Sequence, residues 1–242
     1  MNQGSSSPDG ARFFTTRWSQ VQQAGHGSGL GQVALEELCR QYWPPLYAFV
    51  RRQGSTIHDA QDLVQGFFED LLRRQSLRDA NPDLGRFRTF LLAAFKNYHA
   101  KQREHQTAQK RGGNQVIISI DEELGERGLR LDPASHETPE AVYERQWSLT
   151  LLDRVLAGLA TEFSSKPELF DCLKGRLSGS SASPTYAKIG ARLDMTEAAV
   201  KVTAHRLRLR YRERLREEIA QTVSDPTEVD DEIRNLMDSL SS

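Results

Sequence analysis

The sequence predicts an all-α fold of two small helical bundles joined by a flexible acidic linker, the second bundle containing a helix-turn-helix. Three observations lead to this fold class. Apolar residues recur at intervals of three and four through most of the chain, which is the spacing of one helix face. Almost no segment alternates apolar and polar residues as a strand does. The length of 242 residues suits one or two domains.

Composition divides the chain into five segments. Small and polar residues predict a disordered N-terminus over residues 1–12, and glycines and prolines without a sustained period predict a linker over residues 111–139. A first helical domain is predicted over residues 13–110, a second over residues 140–220, and an acidic tail over residues 221–242. The tail should form an amphipathic helix, because its apolar residues keep helical spacing: Val229, Ile233, Leu236, Met237 and Leu240. This helix either caps the second bundle, frays, or inhibits the protein by covering a basic face.

Within the first domain, a helix is predicted over residues 33–53, with a kink or a break at Pro44 and Pro45. Thr56 with Asp59 predicts the start of a second helix that runs to about residue 75. A loop at residues 81–85 then leads to a third helix over about residues 86–110. Further helices are predicted over residues 139–159 and 167–177.

The formal net charge of −1 hides two basic segments. Residues 86–111 contain seven Lys or Arg against one acid, and residues 186–220 contain nine against five. Between them, residues 119–144 contain eight acids and two arginines. Such an asymmetry favours an anionic partner for the basic segments.

Several classes of protein are not expected. No apolar run is long enough to span a membrane, and no secretory signal is visible at the N-terminus, so we expect a cytoplasmic protein. Two distant cysteines predict no disulfide framework, and the histidines lack the spacing of a zinc site. No phosphate loop or nucleophile motif is present, so we expect neither an enzyme nor a cofactor or metal.

The strongest motif lies in residues 186–216. A short helix is predicted over residues 186–193, Asp194 suits a left-handed turn, and Thr196 is a good N-cap for a second helix. On that second helix, Lys201, His205 and Arg206 point away from the apolar stripe near the N-terminal end. This is the end that a helix-turn-helix inserts into the major groove of DNA. The alternative is an ordinary helical hairpin with a cationic surface.

The helix over residues 86–110 has a second polar stripe. Its apolar residues fall on one side, and a largely basic set falls on the other: Arg88, Lys96, Asn97, His99 and Arg103. Cations that follow phosphates and amides that read base edges would suit a single strand. The alternative is a solvated charged face.

Two separate stretches resemble bacterial RNA polymerase sigma factors of the sigma-70 family, of the extracytoplasmic-function (ECF) type. Residues 59–65, Asp-Ala-Gln-Asp-Leu-Val-Gln, are similar to the family's polymerase-binding stretch, and residues 87–91 with Asn97 are similar to its promoter-melting helix. The segment from Tyr186 through Lys201 matches the family's fourth region in register. The resemblance covers about residues 33–108 and 140–218.

This resemblance implies an alternative sigma factor that binds the RNA polymerase core, through the β′ clamp helices and the β flap, and opens promoter DNA. It leaves open whether an anti-sigma factor regulates it, and it implies no membrane partner. The implied core-binding residues are Asp59, Asp62, Gln65 and Glu69. The implied contacts to the melted strand are Arg88, Lys96, Asn97, His99 and Arg103. The implied contacts to duplex DNA are Thr196, Lys201, Thr203, His205, Arg206 and Arg208.

The sequence departs from the family pattern at several positions. Gly190 stands where alanine is usual, Asp194 where glycine is usual, and Phe90 where tryptophan is usual; Gly66 lies inside the core-binding helix, where it could permit close approach of a partner. The Trp43-Pro44-Pro45 insertion, the Lys110-Arg111-Gly112-Gly113 motif and the acidic tail look like those of a divergent, planctomycete-like subgroup. Two other functions remain open: a stand-alone helix-turn-helix transcription regulator, and a helical adaptor with incidental basic faces.

Overall fold

The computed structural model describes residues 29–73, 86–108, 136–177, 183–223 and 225–241, and every regular element in these ranges is helical. The predicted all-α class is therefore confirmed. The N-terminus, the loop at residues 81–85 and most of the linker lie outside the described residues. No helix in the described ranges has an apolar stretch long enough to cross a bilayer. The helices are α1 (Gly29–Arg52), α2 (Ile57–Arg73), α3 (Phe87–Ala108), α4 (Pro139–Glu162), α5 (Pro167–Lys174), α6 (Tyr186–Arg192), α7 (Glu197–Ala220) and α8 (Val229–Ser241), and a 3-10 turn, Pro226–Glu228, leads into α8.

Helix α1 runs without interruption through Pro44 and Pro45, so the chain does not break there as the sequence allowed. Each proline lacks the N–H that would donate to the carbonyl four residues earlier, which costs helix stability. The neighbouring side chains of Tyr42, Trp43 and Leu46 are buried. Their packing holds the two halves of α1 in one helix, and tertiary burial thus overrides the local preference of the prolines.

Helix starts follow local capping. Thr56 Oγ1 accepts a hydrogen bond from the backbone N–H of Asp59 at 3.2 Å and donates its own proton to Asp59 Oδ2 at 2.7 Å. This confirms the predicted start of α2. Thr138 caps α4 in a similar way, since its hydroxyl accepts from the N–H of Ala141 at 3.2 Å. Caps of this kind are worth about 1 kcal/mol each.

One hydrophobic core joins both halves of the chain among the described residues. Helix α4 packs along α1, and Arg154 Nη1 of α4 donates to Gln41 Oε1 of α1 at 2.8 Å. The predicted division into two bundles is therefore not confirmed. The core-facing side chains of α4 with an exposed fraction of at most 1% are Tyr143, Trp147, Leu151, Val155 and Leu159.

The acidic tail forms α8, as predicted, and α8 packs against α4 and α7. The hydroxyls of Ser148 and Ser239 are hydrogen-bonded at 2.8 Å across the α4–α8 contact. The buried side of α8 differs from the predicted apolar stripe in two positions. Glu232 is fully buried, whereas Met237 is 45% exposed. The reason is that α8 rests between two neighbours, so its buried side is centred on Glu232 and Leu236.

Candidate nucleic-acid interface

The turn between α6 and α7 has the local geometry that the sequence predicts. Asp194 has a φ angle of 52°, in the left-handed region that aspartate tolerates better than most residues. Thr196 is the N-cap of α7, and its Oγ1 accepts from the N–H of Ala199 at 3.2 Å. These two local predictions are confirmed. The use of this turn as a DNA-binding helix-turn-helix stays a prediction.

Gly190 allows α6 to approach the backbone that follows the turn. A Cβ atom on Gly190 would lie 2.5 Å from the carbonyl oxygen of Met195. The carbonyl of Gly190 in turn accepts from the N–H of Met195 at 2.9 Å. Since the obstructing atom belongs to the backbone, it cannot move aside as the end of a flexible side chain can. The glycine that departs from the ECF pattern is thus required by this turn.

The outward side of the first half of α7 carries Val202, His205 and Arg206, which we call the α7 face. All three side chains are exposed, and Val202 is 51% exposed. At 100° per residue, Val202 lies between the other two and opposite the buried stripe. Among the described residues, neither His205 nor Arg206 has an ion-pair partner. This face is therefore accessible to a ligand without any rearrangement.

Three other predicted duplex contacts lie beside the α7 face and are engaged within the chain. Lys201 Nζ lies 2.7 Å from Glu197 Oε1. Thr203 donates its hydroxyl to a backbone carbonyl one turn earlier at 3.0 Å. Arg208 Nη2 donates to Tyr186 Oη at 2.9 Å, and this hydrogen bond lowers the pKa of the Tyr186 phenol. Arg208 therefore ties α7 to α6 in this structure.

Arg88 is buried, so its predicted placement on an outward stripe of α3 is wrong. The residue is 5% exposed. Its Nε donates to Glu144 Oε2 at 2.7 Å, its Nη1 donates to Glu232, and its guanidinium lies 4.3 Å from the centroid of the Trp147 ring. Burial opposes the charged form, yet the two carboxylates hold the pKa of Arg88 above its ordinary value. Helical spacing alone could not anticipate this burial, because α4 and α8 cover that side of α3.

The other four residues of the predicted strand-binding set are accessible to different degrees; with Arg88 they make up what we call the α3 face. Asn97 and Arg103 are exposed. Lys96 is 43% exposed, and its Nζ lies 2.6 Å from Glu140 Oε1 of α4. His99 is partly buried, and burial together with the charge of Arg103 lowers its pKa. The imidazole of His99 is therefore mainly neutral at pH 7.

The predicted polymerase-binding residues lie on the polar side of α2. Asp59, Asp62 and Glu69 are exposed. Gln65 lies between them along the helix, and its Nε2 donates to Glu69 Oε1 at 3.0 Å. The spacing of these residues thus produces one continuous polar surface that presents three carboxylates.

A groove of about 970 Å³ between α2 and α3 brings together residues that the sequence assigns to different partners. Asp59 and Asp62 line it from α2, while His99 and Arg103 line it from α3. The predicted polymerase-binding and strand-binding surfaces are thus adjacent in this fold. A partner that fills the groove would contact the carboxylates of α2 together with the guanidinium of Arg103 and the imidazole of His99.

Gly66 permits the close packing of α3 rather than of a separate partner. A Cβ atom on Gly66 would lie 2.6 Å from Tyr98 Oη. Burial raises the pKa of the Tyr98 phenol, which keeps it neutral and able to donate a hydrogen bond. The close approach that the sequence suggested at Gly66 is therefore made by a residue of the same chain.

Sequence reasoning missed the charged cluster of Arg86, Arg88, Glu144 and Glu232, in which Arg88 and Glu232 are buried. Arg86 Nη2 lies 3.0 Å from Glu232 Oε2, and Arg88 contacts both carboxylates. One signal could have found it. Glu232 follows Val229 by three residues and precedes Leu236 by four, so an acid interrupts the apolar stripe of an otherwise amphipathic helix. Buried carboxylates of this kind need a cationic partner.

The described residues contain no group of three or more His, Cys, Asp or Glu side chains placed to hold a metal ion. Comparison with protein-family models, with curated proteins and with solved structures finds no match to this chain. The candidate surfaces on α2, α3 and α7 therefore rest on their own chemistry and geometry.

Proposed function

We propose that this chain is an alternative sigma factor, which binds the RNA polymerase core, reads duplex promoter DNA and assists promoter opening. The sequence resemblance supplies this class of function, and three surfaces are compatible with it. They are the polar side of α2, the α3 face and the α7 face. Each surface has the charge and the exposure that one of these three tasks requires. The exception is Arg88, which is buried on the α3 face.

The α7 face suits duplex DNA. Arg206 can donate two parallel hydrogen bonds to a guanine edge, and His205 can donate or accept one. Both are exposed towards the N-terminal end of α7, within its first half. Lys201 reaches the same end once its surface ion pair with Glu197 exchanges for a phosphate, and such exposed pairs are weak.

The polar side of α2 suits a protein partner with basic side chains. Carboxylates accept charge-assisted hydrogen bonds from arginine, each worth about 1.5–3 kcal/mol when the contact is shielded from water. Asp62 is exposed at the centre of this surface, and no ion pair with it occurs among the described residues. We assign Asp59, Gln65 and Glu69 to the rim of the same contact.

The single observation that carries the proposal is the combination of these two surfaces in one chain. A DNA-binding hairpin alone requires the α7 face but leaves the exposed carboxylates of α2 without a role. A sigma factor requires both, together with the polar residues of α3 between them. Asn97 and Arg103 are exposed on α3, where a melted strand could reach them.

The test is binding of the full chain to purified bacterial RNA polymerase core, followed by run-off transcription from a promoter library. The parent should co-elute with core and confer initiation at specific promoters. Asp62→Arg should abolish co-elution while helical content and duplex binding remain. The matched control is Asp171→Arg, which makes the same change on α5 at an exposed carboxylate whose ion-pair partner among the described residues is the nearby Lys174.

Three outcomes would contradict the proposal. A parent chain that binds duplex DNA but never core would instead favour a stand-alone helix-turn-helix regulator, which the open α7 face also suits. Equal core binding by Asp62→Arg and Asp171→Arg would remove α2 from the polymerase contact. A chain that binds neither DNA nor core would instead favour the helical adaptor as its function.

A further inference from the structure

Glu232 is a carboxylate with no exposed surface, buried where α8 meets the rest of the molecule. Its Oε1 accepts from Arg88 Nη1, and its Oε2 lies 3.0 Å from Arg86 Nη2. Asn235 of the same helix donates to Oε2 at 3.4 Å. Two arginines thus bind the two oxygens of one carboxylate, which is the arrangement that arginine also offers to a phosphate.

Arg88 is held in place by groups other than Glu232. The guanidinium of Arg88 lies over the Trp147 ring at 4.3 Å, and its Nε donates to Glu144 at 2.7 Å. Its backbone carbonyl accepts from the hydroxyl of Tyr143 at 3.0 Å. All of these partners belong to α4. Arg88 would therefore keep its position if α8 were to leave.

Arg86 and Arg88 are also continuous with the exposed polar residues of α3. Arg88 and Lys96 are eight residues apart, which is about 12 Å along a helix. Arg103 lies a further seven residues along the same helix and shares the helical side of Arg88 at 100° per residue. A chain of phosphates that follows Arg103 and Lys96 along α3 would thus be led towards the place that Glu232 occupies.

We propose that Arg86 and Arg88 form an anion site that Glu232 fills in the closed molecule, and that a phosphodiester of single-stranded nucleic acid takes its place when α8 is released. This inference deepens the proposed function and rests on it for the identity of the ligand. In the closed state the two arginines are balanced by Glu144 and Glu232, so the site attracts no further anion. When Glu232 leaves, the site has an excess of one positive charge next to the indole ring of Trp147.

The site links strand binding to the position of α8. Helix α8 packs on α4 and α7, and Glu232 joins it to Arg88 of α3, so release of α8 would separate it from α3. A ligand that binds only the open state has its apparent affinity reduced by the fraction of molecules that are open. Glu232 therefore sets how readily α3 accepts a single strand, and α8 acts as a competitor built into the chain.

The test measures binding of a fluorescein-labelled single-stranded DNA of mixed sequence to the full chain, by fluorescence anisotropy. Glu232→Gln removes the competing charge and should tighten binding by about tenfold, if the open state is populated at about 10% in the parent. The slope of log K against log salt should not change, because the parent and the variant make the same phosphate contact in the bound state. Adding Arg88→Gln to Glu232→Gln should remove the gain in affinity and make that slope shallower by about 0.7, because one phosphate contact is lost.

The matched control is Asp231→Asn, which removes one charge from the neighbouring position of α8. Asp231 is 63% exposed, and its one ion-pair partner among the described residues is Arg234 of the same helix. It should change affinity by less than about twofold, because exposed charges are screened. Equal tightening by the two variants, no tightening by Glu232→Gln, or a gain that persists without Arg88 would overturn the anion site.

A second measurement uses the parent chain and decides the matter even if Glu232→Gln does not fold. Hydrogen exchange at residues 229–241 should accelerate when the single strand saturates the protein, while exchange at residues 200–215 of α7 should not. Unchanged protection of α8 at saturation would overturn the proposal. Neither readout uses polymerase, so a failure here is distinct from a failure of core binding by α2.

Discussion

The α3 face and the α7 face share one sequence pattern, but the fold covers part of the α3 face and leaves the α7 face exposed. In both, basic and polar residues share the side of a helix opposite its apolar stripe. On α7 the central residues are exposed, and His205 and Arg206 have no ion-pair partner among the described residues. On α3 the first arginine is buried beneath two acids, and Lys96 is paired with a third.

The acids that cover the α3 face come from distant parts of the chain. Glu144 and Glu232 are separated from Arg88 by 56 and 144 residues. The acids near the α7 face are its own neighbours, such as Glu197 at the preceding turn. A local acid can pair with a side chain at the edge of a helix face, but only a second helix can cover the middle of one. A basic stripe in the sequence therefore predicts where charge lies, and tertiary packing decides whether that charge is accessible to a ligand.

The largest expected effect separates the two faces by stability. Arg88→Ala should lower the free energy of unfolding by about 3–5 kcal/mol, because it leaves a buried carboxylate without one of its cationic partners. Arg206→Ala should change it by no more than about 0.5 kcal/mol, since exposed side chains rarely contribute more. Urea denaturation followed by circular dichroism measures both. Similar losses for the two variants would mean that Arg88 and Arg206 are equally solvated.

A somewhat smaller effect tests whether the α7 face depends on the tight turn before it. Gly190→Ala should cost about 1–3 kcal/mol, because the new Cβ would meet the carbonyl of Met195 at 2.5 Å. The control is Gly158→Ala within α4, where the nearest atom is Nη1 of Arg214 at 3.2 Å, at the end of a flexible side chain. That change should be neutral or stabilising by up to about 1 kcal/mol, because alanine favours a helix. The reverse order of stability in thermal unfolding would contradict this account of the turn.

The smallest effect concerns the apolar centre of the α7 face. If α7 enters the major groove, Val202 is placed to contact the methyl group of a thymine. Burying one such methyl is worth about 0.8 kcal/mol, or about fourfold in affinity. In a duplex selected for binding from a random library, each thymine is replaced in turn by deoxyuridine, which lacks that methyl.

One replacement should weaken binding of the parent about fourfold, and the same replacement should have little effect on Val202→Ala. This double comparison isolates the contact between the side chain and the methyl group. If every replacement weakens the parent and Val202→Ala alike, Val202 does not read thymine. If no replacement matters to either protein, the α7 face reads other features of the groove.

Much of the fold follows from local rules. The start of α2 at Thr56, the cap at Thr196 and the left-handed turn at Asp194 were all predictable, because each depends on hydrogen bonds or backbone angles within four residues. The helix bounds and the all-α class follow from apolar spacing in the same way. The polar side of α2 was predictable too, since exposure of Asp62 needs only one helix with one buried side.

Two features of the structure depended on contacts between distant segments. The local sequence at Pro44 and Pro45 predicts a kink or a break, yet burial of the residues around them keeps α1 continuous. Gly66 suggested room for a partner, and Tyr98 of α3 takes that room. In both cases a contact between distant residues contributes the larger free energy, so it outweighs the local preference of the sequence.

The sequence by itself determined which segments are helical, where they are capped and which of their sides carry charge. Tertiary structure alone decided that Arg88 is buried, that Glu232 rather than Met237 faces inward, and that α4 shares a core with α1. The physical reason is the range of the forces involved. Hydrogen bonds of caps and turns act between near neighbours in the chain, whereas burial and charge pairing depend on which surfaces meet, and residues as far apart as 88 and 232 meet only once the whole chain has folded.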